Sequence, residues 1–217
     1  MRNIRKKKDI GIYGFVAKEY DRNSRKSRLP EMQSYANEVE YYVGKGANVL
    51  EVAPGPGYLS IELAKRGFHV TAVDISPDFV EIAKRNANEA AVSVNFLEGN
   101  VSNLPFQDCQ FDFVVCSAAF KNFKDPVKAL CEIHRVLKQE GKALIIDMNH
   151  EATSEDINKE VSNMKGFDRL FVKFSFKTFL KKGAYTKDEF AEFIKQSPFK
   201  NYHIRKEGIS LYVYLDK

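Results

Sequence analysis

The sequence predicts an α/β fold: a doubly wound, mostly parallel sheet that ends in a C-terminal antiparallel hairpin, with a small helical cap. Three observations carry this. Between residues 48 and 147, short apolar runs alternate with segments of helical period, the pattern of parallel strands joined by right-handed crossovers. The fourth run, FDFVVCS, is apolar enough to be covered by helices on both faces. The chain's end, YHIRKEGISLYVYLDK, alternates at period two around Glu207-Gly208 and reads as a hairpin. Five strands and the hairpin make a seven-stranded sheet.

Each element follows from local chemistry. From residue 31, EMQSYANEVEYYV places Met32, Tyr35, Ala36, Val39 and Tyr42 on one helical face, with Pro30 suited to the first turn. NVLEVA (48–53) is the first strand, and 58–66 is a helix stopped by Gly67. HVTAVD (69–74) is the second strand. Ser76-Pro77-Asp78 then gives a cap, a proline at the first helical position and an acid in the first turn. VSVNFLE (92–98) and FDFVVCS (111–117) are strands three and four. Asp125-Pro126 opens a helix with Val127, Leu130, Ile133 and Leu137 on one face, and after Gly141 KALIID (142–147) is strand five.

Beyond it the pattern loosens. Ile157, Val161 and Met164 sit at helical spacing, followed by a Phe/Lys-rich run, GFDRLFVKFSFKTFLKK. Thr186-Lys187-Asp188-Glu189 is a capping box for a helix through about Lys195. The chain divides into a basic arm with cap helices (1–44), a core (45–150), a cap insertion with the last helix (151–200) and the closing hairpin (201–217).

A length of 217 residues suits one α/β domain with an attached cap. The net charge of +5 is concentrated in RNIRKKK (2–8) and DRNSRKSR (21–28). These read as a solvated arm and a solvated loop, with nucleic acid or an acidic membrane surface as the alternative. Gly11 and Gly14 suggest a mobile strap between them. Cys109, Cys116 and Cys131 form no Cys-x-x-Cys pair, which points to reduced thiols, a cytoplasmic setting and no bound metal. The basic start followed by IGIYGFVA imitates a signal peptide, but the apolar piece is short, holds two glycines and lacks an Ala-x-Ala site. No apolar run reaches membrane-spanning length. The sequence is silent on oligomeric state.

The chemistry concentrates where ligands bind in open α/β sheets, beyond the carboxyl ends of the strands. The first strand ends in Glu51-Val52-Ala53-Pro54-Gly55-Pro56-Gly57. Gly55 and Gly57 have no side chain to block a ligand, and the helix that follows offers free N–H groups. Asp74, at the tip of the second strand, is placed to accept both hydroxyls of a ribose and to repel a 2′-phosphate. Glu98-Gly99-Asn100-Val101 lines the next part of the crevice, so the cleft suits a nucleoside. A dinucleotide fingerprint would need glycine at 53, 55 and 58, where Ala53, Gly55 and Tyr58 stand. No Gly-Lys-Ser/Thr follows either.

LEVAPGPGYLSIELA, VTAVDIS, EGNVSNLPF, FDFVVCSAAF and EIHRVLKQEGKALIID, in that order and spacing, resemble a class I S-adenosylmethionine (AdoMet)-dependent methyltransferase of the type 11, small-molecule-like branch. The resemblance covers about residues 45–150 and implies a Rossmann-like fold, with AdoMet as cofactor and S-adenosylhomocysteine as product. It implies that Glu51 organises the loop and reaches the methionine amino group, and that Ala53, Gly55 and Gly57 form the backbone beside the cofactor. It assigns Asp74, with Ile75, to the ribose, Asn100 and Val101 to adenine, and Ser117 to the methionyl part. Two positions depart from the family's pattern. Ala53 replaces a glycine, which is tolerated if its φ is negative. Asn100 replaces an aspartate, and its carboxamide oxygen is expected to accept from the adenine amino group.

Tyr20 is a candidate to fold over the cationic sulfur, and His150, just past strand five, is a weak candidate base. The phenylalanines at 167, 171, 174, 176 and 179 read as cap packing, or as walls of an apolar acceptor pocket. Ser117-Ala118-Ala119-Phe120 stands where an Asn-Pro-Pro-Tyr-like tetrapeptide would mark amino-group methylation of a base or glutamine. The expected activity is methyl transfer to a small-molecule acceptor. The alternatives are an RNA or protein methyltransferase, and a non-catalytic binder that keeps the fold.

Overall fold

The computed structural model describes residues 8–160, 162 and 183–217. Val161, Met164 and the phenylalanines between 167 and 179 lie outside the described residues. Seven strands form one sheet: β1 (Asn48–Val52), β2 (His69–Asp74), β3 (Asn95–Glu98), β4 (Phe111–Ser117), β5 (Leu137–Met148), β6 (Asn201–Glu207) and β7 (Ser210–Asp216). Their spatial order is β3-β2-β1-β4-β5-β7-β6. The first five are parallel, and β7 runs antiparallel to both β5 and β6. Strand order reverses between β1 and β4, which opens a crevice at their carboxyl ends.

The helices are α1 (Gly14–Ser24), α2 (Leu29–Tyr42), α3 (Tyr58–Lys65), α4 (Pro77–Glu89), α5 (Pro126–Val136), α6 (Ser154–Glu160) and α7 (Lys187–Lys195). Side chains alternate along β1. Val49 packs with Met32, Leu59 and Leu63 from α2 and α3, and Leu50 and Val52 pack with the cluster of Leu130, Ile133, Phe190 and Ile194 from α5 and α7. That alternation turns Glu51, with Val49, toward α3. The caps read from sequence are present. Ser76 Oγ accepts from Phe79 N, Asp125 from Lys128 N, and Thr186 and Glu189 form the reciprocal box that opens α7.

Three segments differ from the sequence reading. β3 begins at Asn95 rather than 92. Leu137 leaves the preceding helix and opens β5, which pairs with Phe111 before a bulge at Glu140 (φ 63°) and Gly141 restores the ladder at Lys142. The hairpin turn is Gly208-Ile209, with the positive φ of 52° falling on the glycine.

Beyond these three, a fourth difference is the largest. Residues 21–24 end α1 and 25–28 turn into α2, with Arg22, Asn23, Arg25, Lys26 and Ser27 exposed, but the stretch is tied down through Asp21, and Gly14 opens a helix instead of loosening a strap. Asp21 is buried, and receives hydrogen bonds from Tyr58 Oη (2.8 Å), Asn86 Nδ2 (2.9 Å) and Arg85 (2.7 Å). Arg25 bridges to Asn86 and to Glu89 (2.6 Å), and Arg28 to Glu31 (2.8 Å). The basic residues found their acids 64 positions away on α4 as well as nearby, a pairing no local pattern encodes.

Candidate functional site

At the crevice, the tip of β2 holds Asp74, 5% exposed. Its Oδ2 accepts from Gly55 N at 3.0 Å and its Oδ1 from Ser76 N at 2.9 Å. Burial raises its pKa, while the backbone N–H groups of Ser76, Gly55 and Ile75 pull it back down. The carboxylate therefore faces the glycine loop. Ile75, half-buried, contributes through its main chain.

The loop itself is shaped by three positive φ values: Ala53 at 56°, Gly55 at 54° and Gly57 at 82°. The expectation for Ala53 is overturned. Its φ lies in the left-handed region, where a Cβ costs about 1–2 kcal/mol. The two glycines also divide their tasks. A Cβ on Gly57 would lie 2.9 Å from both Ala83 and Phe96, so Gly57 lets α3 pack against α4 and β3. At Gly55 the nearest atom to such a Cβ is 3.9 Å away, which leaves its surroundings open. Tyr58, which blocks a dinucleotide fingerprint, sends its hydroxyl to Asp21 and so joins α3 to α1.

Glu51 is fully buried, and Ser60 Oγ donates to it. Burial lifts its pKa to about 7 against the pull of Ser60 and of the nearby Arg28 charge. Arg28 is a site residue the sequence reading missed. It donates to Tyr20 Oη at 2.9 Å and couples electrostatically to Glu51, so it brings a half-buried cation to the loop. Tyr20 lies edge-on to Phe79, with ring centroids 5.9 Å apart. Since Phe79 is the neighbour facing Gly55, Tyr20 belongs to the wall beside the loop.

The β3 end departs from expectation. Asn100 Oδ1 accepts from Ser102 N at 2.8 Å, which uses one of its two lone pairs within the turn. Its Nδ2 points to Asp9 Oδ2 at 3.1 Å. Val101 buries its side chain in the core and leaves its main chain to the crevice. At the end of β4, Ser117 is half-buried and Ala118 has a φ of 56°, a second strained alanine facing the first across the strand-order reversal. Lys121 braces this turn. Its Nζ meets Asp147 Oδ1 at 2.9 Å and Ala118 O at 2.7 Å. His150 follows β5, with its N–H on Tyr185 O at 3.0 Å.

Residues 9–14 cross the whole carboxyl edge. Asp9 Oδ1 accepts from Lys124 N (2.8 Å), Ile10 N donates to Asn122 O (3.3 Å), Ser76 Oγ donates to Ile12 O (2.5 Å) and Gly14 N donates to Asp78 (3.0 Å). A hollow lined by Lys84, Ala87, Asn88 and Val92 lies at the other end of α4, away from these groups. Among the described residues there is no metal-binding cluster, and no helix is long and apolar enough to cross a membrane.

Comparison with known proteins agrees with this geometry. The model of the methyltransferase domain family matches residues 50–145. Over 101 residues the chain is 37% identical to a demethylmenaquinone methyltransferase of Deinococcus radiodurans, an alignment that takes in 46% of this chain and 42% of that protein. The chain thus spans less than half the length of that relative. A demethylmenaquinone methyltransferase of Staphylococcus saprophyticus is 28% identical over 203 residues, covering 91% of this chain and 83% of its own. A Methanococcus maripaludis crystal structure assigned to the S-adenosyl-L-methionine-dependent methyltransferases superposes with a TM-score of 0.79 at 25% identity, covering 93% of this chain and 92% of that one. Residues 50–145 are thus similar to the methyltransferase domain family, and the sheet built around them has the fold of the Methanococcus maripaludis structure.

Proposed function

We propose that the chain binds AdoMet along the carboxyl edge of β1–β3 and transfers its methyl group to a small organic acceptor, releasing S-adenosylhomocysteine. The observation that carries this reading is Asp74, a buried carboxylate held by Gly55 and Ser76 beside the strand-order reversal. Gly55 N and Ser76 N each take a position on a different oxygen, Ile75 N lies close by, and the carboxylate keeps acceptor capacity for a ribose hydroxyl. A ribose diol suits that arrangement and a 2′-phosphate does not. The open space at Gly55, the buried acid Glu51 and the half-buried cation Arg28 supply the rest of the fit. Glu51 and Arg28 have opposite charges, as the amino and carboxylate ends of a methionyl group require.

When bound, AdoMet supplies an electrophilic methyl group on a sulfonium. The protein's part is to hold and orient. Well-placed reactants account for roughly 7–11 kcal/mol of such a barrier. A general base contributes about 10²–10⁴-fold, or roughly 3–5 kcal/mol. The reading therefore rests on the residues that position the reactants. His150 and Tyr20 are secondary candidates, and Tyr20's hydroxyl already takes a bond from Arg28.

The named activity of the relatives makes a quinone-type ring the first acceptor class to test. The nucleic-acid reading loses its second basic cluster, since Arg22, Arg25 and Arg28 meet Glu19, Glu89 and Glu31. The three free thiols fit a reducing compartment such as the cytoplasm. Titration calorimetry with AdoMet and with S-adenosylhomocysteine is expected to give saturable binding. Demethylmenaquinone and short-chain analogues, oxidised and reduced, are then screened for release of S-adenosylhomocysteine. Absence of binding to both nucleosides overturns the proposal.

A further inference from the structure

We propose that Asp9, carried across the crevice by the N-terminal strap, is the residue that reads the 6-amino group of the adenine. The inference rests on the nucleoside site described above and extends it to a part of the chain outside the methyltransferase domain match.

Asparagine ordinarily recognises adenine with both halves of its amide, donating to a ring nitrogen and accepting from the amino group. Asn100 spends one of its two Oδ1 lone pairs on Ser102 N, which ties that oxygen to its own turn and weakens it as an acceptor. What it offers the crevice is Nδ2, a donor with two hydrogens. Asp9 adds a charged acceptor beside it. Its Oδ2 lies 3.1 Å from Asn100 Nδ2, so one amide hydrogen is used in fixing the carboxylate and the other remains for a ring nitrogen.

A carboxylate has about four acceptor positions, and two are taken here, by Asn100 Nδ2 and Lys124 N. The pair Asn100–Asp9 thus presents a donor and a charged acceptor side by side. That is the complement of the adenine edge, where amino group and ring nitrogen adjoin. Hypoxanthine carries a carbonyl oxygen at the same place, whose lone pairs would face those of Asp9.

The strap is built to hold this residue. Lys124 N fixes Asp9 from the β4 side, Ser76 Oγ and Asp78 hold Ile12 and Gly14 from the β2 side, and Ile12 packs against the small cluster of Ala17, Phe79 and Ile82. Asp9 and Asn100 are 91 residues apart in sequence, so their juxtaposition is a product of the fold.

Calorimetry on the full chain tests this with two ligands, S-adenosylhomocysteine and its inosyl counterpart, against the parent and Asp9→Ala. The parent is expected to favour the adenosyl ligand by tenfold or more. Asp9→Ala is expected to lose about tenfold in affinity for it and to bind both ligands within about twofold of each other. An unchanged thermal midpoint for Asp9→Ala separates this from a folding defect. Asp9→Asn keeps an oxygen for Lys124 N but loses the charge, and is expected to fall between the two. If Asp9→Ala binds S-adenosylhomocysteine as tightly as the parent or more tightly, Asp9 does not read the base and the inference is overturned. A parent that binds neither ligand overturns the nucleoside reading itself, which distinguishes the two failures.

Discussion

The two ends of the crevice are built differently. At the β2 tip, Asp74 is held by residues 2 and 19 positions away. At the β3 tip, Asn100 is met by a residue 91 positions away. The first end is a product of strand, turn and helix cap, elements that form from neighbours in sequence. The second exists only when the N-terminal strap has crossed the sheet. A local motif can position a buried acid such as Asp74, but the acceptor set beside Asn100 depends on a long-range contact.

The largest effect is expected where the local end is cut. Asp74→Ala removes the acceptor for both hydroxyls, and hydrogen bonds to a charged group are worth about 1.5–3 kcal/mol each. Calorimetry should show affinity for AdoMet falling by roughly 100-fold or more. A change under about threefold would mean that the two ends do not share one ligand.

The next variant attacks the fastening of the distant end. Asp21→Ala leaves Tyr58, Asn86 and Arg85 without their shared partner inside the α1–α3–α4 junction. Tyr58 Oη keeps Asp21 O and Asn86 Nδ2 keeps Pro56 O, so the loss is that of hydrogen bonds to a charged group, about 1.5–3 kcal/mol, and urea unfolding should report roughly 2 kcal/mol. If stability is unchanged, α1 is not anchored through this acid.

Glu51 sharpens the comparison through pH. Its pKa is raised from 4.5 to about 7 by burial, so the folded chain binds this proton more tightly than the unfolded one. The resulting stabilisation is complete below about pH 4.5 and is lost as pH rises through about 7. A methionyl ammonium favours the charged form, so AdoMet affinity should rise about tenfold from pH 6 to pH 8 as Glu51 ionises. Glu51→Gln should flatten that profile. A slope that survives the substitution assigns the titration to another group.

The smallest effect belongs to backbone strain. Ala53 holds a φ of 56°, and Ala53→Gly relieves the Cβ clash while loosening the unfolded chain. The two partly cancel, and a gain of about 0.5–1 kcal/mol is expected in urea unfolding. A loss would show that the alanine methyl packs usefully in the loop.

The sequence by itself determined the sheet, its five parallel strands and closing hairpin, the helix caps, and the acid at the tip of β2. All of these follow from periodicity, capping chemistry and turn residues within a short window. Tertiary structure decided what the local code leaves free. It gave Gly57 to helix packing and Gly55 to the crevice, although both look alike in Pro-Gly-Pro-Gly. It set the sign of φ at Ala53, and it turned the Asn100 amide so that the nitrogen faces out. It converted a basic stretch into the buried junction around Asp21 and Arg28, because a charge's partner is fixed by distance in space. The same physics put Asp9 beside Asn100, where a hydrogen bond of about 3 Å spans most of the core in sequence.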